Sequence, residues 1–218
     1  LKKINYAIIR YKDIELYSKD APKIRGFLSQ KYSNLDILHN HDNQKYIYRY
    51  PLVQYKIIKK QPIIVAINEG IPSLLRIILE TDYFDISGKI YKTYQYEIKT
   101  GEFDFGVSDI LKTYKFVTPW MALNQKNYNK YLHSDLIEKD ELLKSILIGN
   151  MISCSKGMNY KVKDLIRVKT NLKECIVKFK NKSMIAFKGD IVTNFRIPDY
   201  MGLGKSVSRG FGTLVGGE

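Results

Sequence analysis

The segment Gly202-Leu203-Gly204-Lys205-Ser206-Val207-Ser208-Arg209-Gly210-Phe211-Gly212 constrains what this chain can fold into more than any other stretch. It sets four glycines, two basic residues and two hydroxyls into eleven positions, just after Pro198 and ahead of a short apolar run. Glycine at this density costs too much backbone entropy for a helix interior or a regular strand, so the segment is a loop. Residues without a Cβ reach positive φ and let a ligand approach the backbone. Successive backbone N–H groups in such a turn can cradle an anion, and Lys205 and Arg209 add full positive charge beside them. Glycine clusters are also found in ordinary turns, but the interleaved Lys, Ser, Ser and Arg favour a phosphate-binding reading here.

Two nucleotide-binding patterns are excluded. Gly204-Lys205-Ser206 looks like the end of a Walker A loop, but that motif needs a glycine where Asp199 stands. Arg209-Gly210-Phe211-Gly212 would also stop the helix that must follow it. A dinucleotide fingerprint fails for want of a strand-glycines-helix unit with an acidic residue downstream.

The chain's 218 residues give room for one large domain or two small ones. Lys and Arg number 36 against 22 Asp and Glu, a formal net charge of +14, which favours a polyanionic partner. Between Lys156 and Thr213 there are 13 basic residues and four acids, so the excess gathers in the segment leading into the glycine-rich loop. Seventeen tyrosines offer stacking surface for single-stranded bases, although most tyrosines in a strand-rich protein pack the sheet. Cys154 and Cys175 have neither metal-type spacing nor a secretory context and read as reduced thiols. No signal peptide or membrane-length apolar run is present, so the expected location is cytoplasmic, with no membrane partner.

Along the chain, residues 3 to 11 read as a strand, and Ile24, Phe27, Leu28 and Tyr32 recur at helical spacing after Ser18-Lys19-Asp20-Ala21-Pro22. A polar connection, 38 to 43, leads into a tyrosine-rich run, 45 to 56, that Pro51 interrupts and so demotes to an edge strand or a bulge. Ile63 to Ile67 is a buried strand, and Ile71-Pro72 opens a helix faced by Leu74, Leu75 and Ile78. Residues 89 to 105 read as a hairpin turned at Thr100-Gly101. This is a βαββαβ order with an added hairpin. A second unit follows: an extended stretch from Leu111, a helical region entered at Trp120 with Leu143, Ile146, Leu147 and Met151 on one face, and strands over 164–169, 174–180 and 183–195. Asn181-Lys182 is read as a hairpin turn, and 211–215 closes the unit. The expected fold class is α+β, with two tandem ferredoxin-like (βαββαβ, RRM-like) units over 1–108 and 109–218 and a C-terminal glycine-rich loop.

The chain has three histidines, two of them at His39 and His41. In an extended segment, i and i+2 project to one side, so both imidazoles can face one ligand. Histidine titrates near neutrality and suits proton transfer. The same pair could instead be surface residues, or half of a zinc site with an acid such as Asp42, though no Cys or third His stands at ligand spacing.

The run Asn194-Phe195-Arg196-Ile197-Pro198-Asp199-Tyr200-Met201-Gly202-Leu203-Gly204-Lys205-Ser206-Val207-Ser208-Arg209-Gly210-Phe211-Gly212 resembles the C-terminal signature loop of the CRISPR-associated endoribonucleases that process precursor CRISPR RNA. These enzymes belong to the RAMP superfamily. The stretch 38–56, Leu38-His39-Asn40-His41-Asp42 through Tyr48 to Lys56, is similar to the type I-B-like repeat-cleaving subtype. That resemblance implies His41 and Tyr48 in cleavage, with His39 as a second proton carrier. It implies RNA binding by Gly202, Gly204, Lys205, Ser206, Ser208, Arg209, Gly210 and Gly212, and no metal or other cofactor. One of many lysines, Lys56 among them, would offset developing charge. The implied partner is CRISPR repeat RNA, with other effector subunits of such a system and a second copy of the chain as further ones. Two rivals stand beside this reading: a non-catalytic RAMP-type subunit that holds guide RNA, and a ferredoxin-like small-molecule or protein-interaction module with an incidental basic surface.

Overall fold

A computed structural model describes residues 1–39, 41, 42, 45, 46 and 50–217, with 39, 41, 42, 45 and 46 described as backbone. The chain forms two compact units. One comprises Lys3–Phe103 with Val207–Gly210, and the other Leu1–Lys2, Asp104–Ser206 and Phe211–Glu218. They are called here the first and the second unit.

In the first unit, β1 (Lys2–Tyr11) leads into α1 (Ala21–Lys31), a short α2 (Asp36–His39) and a small ladder of β2 (His41–Asp42) and β3 (Lys45–Tyr46). Then come β4 (Val53–Ile58), β5 (Gln61–Ile67), α3 (Ile71–Glu80), β6 (Tyr83–Ile86), β7 (Lys89–Lys92) and the start of β8 (Tyr96–Trp120). The sheet order is β4-β5-β1-β8. Renumbered within the βαββαβ unit this is 2-3-1-4, the ferredoxin-like arrangement. Period-two alternation sends Ala7, Ile9 and Tyr11 of β1, Tyr55 and Ile57 of β4, and Ile64 and Ala66 of β5 into one core. Ile24 and Leu28 of α1 and Leu74 and Ile77 of α3 close that core. β4 lies at the sheet edge and begins two residues after Pro51. Lys59 and Lys60 take φ of 50° and 66° in the two-residue turn to β5, the geometry that matches strand twist.

The expected hairpin at Thr100-Gly101 does not form, because β8 runs unbroken from Tyr96 to Trp120. Gly101 serves close packing there: a Cβ at that position would lie 3.0 Å from the Tyr6 hydroxyl. The turn is earlier, at Ser87-Gly88 between β6 and β7, where both residues have positive φ and Asp85 accepts the Gly88 N–H at 2.7 Å.

In the second unit the remainder of β8 is followed by α4 (Gln125–His133), α5 (Leu136–Gly157), β9 (Val168–Phe179), β10 (Lys182–Arg196) and β11 (Leu214–Gly216). β8 pairs with β10 and β11, and β10 also pairs with β9. The order β11-β8-β10-β9 repeats the 4-1-3-2 pattern of the first unit, with the glycine-rich segment standing where the second helix of such a unit belongs. The helical region divides in two because Asn124 caps α4, accepting the Asn127 N–H at 2.7 Å, and Asp135 opens α5 with a capping box to Glu138. Leu143, Leu147 and Met151 fall at successive i, i+4 positions of α5 and are buried. The two separate strands expected over 164–180 are one strand, β9, and its hairpin to β10 turns at Lys180-Asn181, one residue earlier than expected, with φ of 49° and 62°.

Candidate nucleic-acid interface

Residues of the glycine-rich segment are divided between the two units. In the second, Gly202 bridges Thr213, the Leu203 N–H donates to the Gly212 carbonyl at 2.9 Å, and the Leu214 N–H donates to the Met201 carbonyl at 3.0 Å. The strand end of β8 holds this ladder, since Pro119 accepts the Gly212 N–H at 2.8 Å and the Thr118 hydroxyl accepts the Thr213 N–H at 2.9 Å. Protein neighbours explain two of the glycines. Gly204 has φ +91°, and a Cβ on it would lie 2.5 Å from the Trp120 indole nitrogen. That indole stacks on Phe116 and donates to the Asn150 side-chain oxygen at 3.0 Å, so it has no room to retreat. Gly212 has φ +63°, and its Cβ would lie 2.0 Å from the Leu203 carbonyl oxygen. Lys205 turns its ammonium back to donate to the Leu123 carbonyl, and burial of that head lowers its pKa.

Residues Val207–Gly210 belong to the first unit, where Val207–Arg209 makes one 3₁₀ turn with Val207 buried. Gly210 has φ +94°, and a Cβ on it would come within 3.1 Å of the Ala21 side chain at the start of α1 and 3.5 Å of the Tyr55 carbonyl. The Lys56 ammonium, fully buried, donates to the Val207 carbonyl at 2.7 Å. Burial pushes its pKa down to about 7, because a charge without bulk water favours losing its proton. Arg25 of α1 is half-buried, and its pKa falls through burial first and through the neighbouring Arg209 guanidinium second.

Of the residues singled out in the sequence, Gly202, Gly204, Lys205, Ser206 and Gly212 therefore sit in the second unit, and Ser208, Arg209 and Gly210 in the first. His39 ends α2, and His41 opens β2 with Tyr46 of β3 as its Cα partner across the ladder. Tyr48 lies outside the described residues.

Two ferredoxin-like units in tandem, the second closed by a basic glycine-rich segment, define the class: the RAMP-like fold of the Cas6 group. Family models match both units, the Cas6b N-terminal domain over residues 2–104 and the Cas6b C-terminal domain over 106–216. The chain belongs to the Cas6b family. A crystal structure of Cas6b is 41% identical with a TM-score of 0.95, covering 99% of this chain and 100% of that one. A second, titled CRISPR RNA processing endoribonuclease Cas6b, is 38% identical with a TM-score of 0.82 over 99% of this chain and 100% of its own. An uncharacterised protein of Methanocaldococcus jannaschii is 38% identical over 140 residues, which is 64% of this chain and 95% of that protein.

Proposed function

We propose that this Cas6b-family endoribonuclease cuts CRISPR repeat RNA by a metal-independent transesterification in which His41 moves the proton. A base removes the proton of a ribose 2′-OH, that oxygen attacks the adjacent phosphorus in line, and an acid protonates the departing 5′-oxygen. The products are a 2′,3′-cyclic phosphate and a 5′-hydroxyl. The nucleophile is the substrate's own hydroxyl, so DNA, which lacks it, is bound without being cut. His41 is the principal proton carrier, His39 the second, and Tyr48 orients the nucleophile or donates to the phosphoryl oxygens.

The observation that carries this reading is the pair His39 and His41 between α1 and β4, in a chain that both Cas6b domain models cover almost end to end. Imidazoles near neutrality supply the acid and the base, each contributing roughly 10² to 10⁴ in rate. Affinity comes from Lys205, Ser206, Ser208 and Arg209, from the glycine-rich backbone, and from the basic excess around them. Binding therefore weakens with salt, with a log-log slope of about −0.7 per phosphate contact on a single strand. Among the described residues no helix is long and apolar enough to cross a membrane.

The test is incubation of repeat RNA with the protein in EDTA at neutral pH, followed by analysis of the ends. Cyclic phosphate and 5′-hydroxyl termini are expected, with cleavage abolished by one 2′-deoxy substitution at the cut site and lost in His41→Ala while binding persists. Intact RNA bound to wild-type protein would leave the non-catalytic RNA-binding subunit as the answer, and no preference for RNA over other polyanions would leave the interaction module.

A further inference from the structure

One carbonyl fixes the turn that carries Ser208 and Arg209. Val207–Arg209 is a single 3₁₀ turn, and its own closing bond is long, with the Gly210 N–H reaching the Val207 carbonyl at 3.4 Å. One turn of this kind does not hold its shape alone. The second donor to the same carbonyl is the Lys56 ammonium at 2.7 Å, so the short bond is the one supplied by β4. Val207 is buried, whereas Ser208, Arg209 and Gly210 keep partial exposure. The turn is therefore anchored at its apolar end and reaches the surface at its polar end.

Holding that carbonyl with a lysine is destabilising. Alternation along β4 sends Tyr55 into the core closed by α1 and α3 and Lys56 to the opposite face, with Ile63 of β5 as its Cα partner and no exposed surface. Among the described residues no carboxylate pairs with the ammonium, and burial alone lowers its pKa to about 7. A buried charge without a counter-charge works against folding, and an apolar side chain of similar volume in such a place is often stabilising. Stability forgone at one position is the usual mark of a functional demand there. Among the described residues the Val207 carbonyl is the one hydrogen-bond partner of this amine, and it lies in the segment that RNA binding uses.

We propose that Lys56 is a positioning residue for RNA binding: its buried amine fixes the Val207 carbonyl and thereby sets the turn that presents Ser208 and Arg209 to the phosphate backbone. Lys56 touches no RNA itself, and its role rests on the RNA reading above. A turn already in its bound shape loses less freedom when the strand arrives, and the difference appears as affinity.

The experiment measures affinity for a repeat RNA made uncleavable by a 2′-deoxy nucleotide at the cut site, together with stability in urea, for wild type and Lys56→Met at about pH 6 and about pH 9. Lys56→Met is expected to be the more stable protein at the lower pH and nearly matched at the higher, yet to bind the RNA roughly tenfold more weakly at both. Persistence of the deficit at about pH 9 separates position from charge, because the wild-type amine has by then shed its proton and keeps only its hydrogen bond. A lysine that merely supported the fold would make affinity follow stability. Equal affinity in the two proteins, a deficit that vanishes at about pH 9, or a deficit accompanied by lost stability at about pH 6 would each overturn the role of Lys56 and leave the nuclease reading standing. A wild type that prefers RNA no more than heparin would remove both.

Discussion

Lys56→Met offers the sharpest test of the buried clamp on the glycine-rich turn. Lys56 is fully buried, with a pKa pushed from 10.5 down to about 7. The folded state holds the proton less tightly than the unfolded chain, so between those two values the unfolded state carries more protons and stability rises with pH. The penalty for burying the charge is complete below about pH 7, shrinks as pH climbs towards 10.5 and is gone above it. An interval of about 3.5 in pH, at about 1.36 kcal/mol each, gives a ceiling of about 5 kcal/mol. Methionine has nearly the same volume and no charge, but it strands the Val207 carbonyl that Lys56 serves, at a cost of about 1–3 kcal/mol. At about pH 6 the first effect is larger, and Lys56→Met should be more stable than wild type by about 2 kcal/mol or more. Near pH 9 the two offset each other to within about 1 kcal/mol, and above that the variant should be the weaker protein. Urea denaturation followed by far-UV circular dichroism, with both proteins measured from about pH 6 to about pH 9.5, reads the difference directly and cancels every other titration. A difference that stays flat over that range would refute the argument, because it would mean that the amine titrates as it does in water.

Three other perturbations separate the roles of individual residues. Gly204→Ala should lower stability by about 2 kcal/mol or more in thermal denaturation, because its Cβ would meet an indole fixed by Phe116 and Asn150 at a backbone angle alanine disfavours. Gly26→Ala is the opposite case: the glycine is exposed within α1 with nothing within 4 Å of the added Cβ, so the variant should gain about 0.5–1 kcal/mol. Asp135→Ala removes the cap that accepts the Glu138 N–H at 2.9 Å and should cost about 1 kcal/mol in the same assay.

Much of the architecture follows from local pattern. Alternation in β1 and β5, helical spacing in α1 and α5, and Pro72 in the first turn of α3 all act over a few residues, and the structure bears each of them out. Where a residue type serves two purposes, local reading fails. Gly101 looks like a turn and is a strand position emptied to admit Tyr6, while the turn belongs to Ser87-Gly88. The glycine-rich segment was legible as a basic loop, yet two of its glycines answer to Trp120 and to the Leu203 carbonyl, neighbours the spacing does not reveal.

The sequence alone determined β1, β5, α1, α3 and the family signature, because each is written in residues close together along the chain. The tertiary structure decided that Lys56 reaches the Val207 carbonyl across 151 positions and that Arg25 shares its surroundings with Arg209. Those pairings depend on how a sheet edge, a helix face and a distant turn meet in space. Burial and electrostatic neighbourhood are properties of that meeting, and no local pattern encodes them.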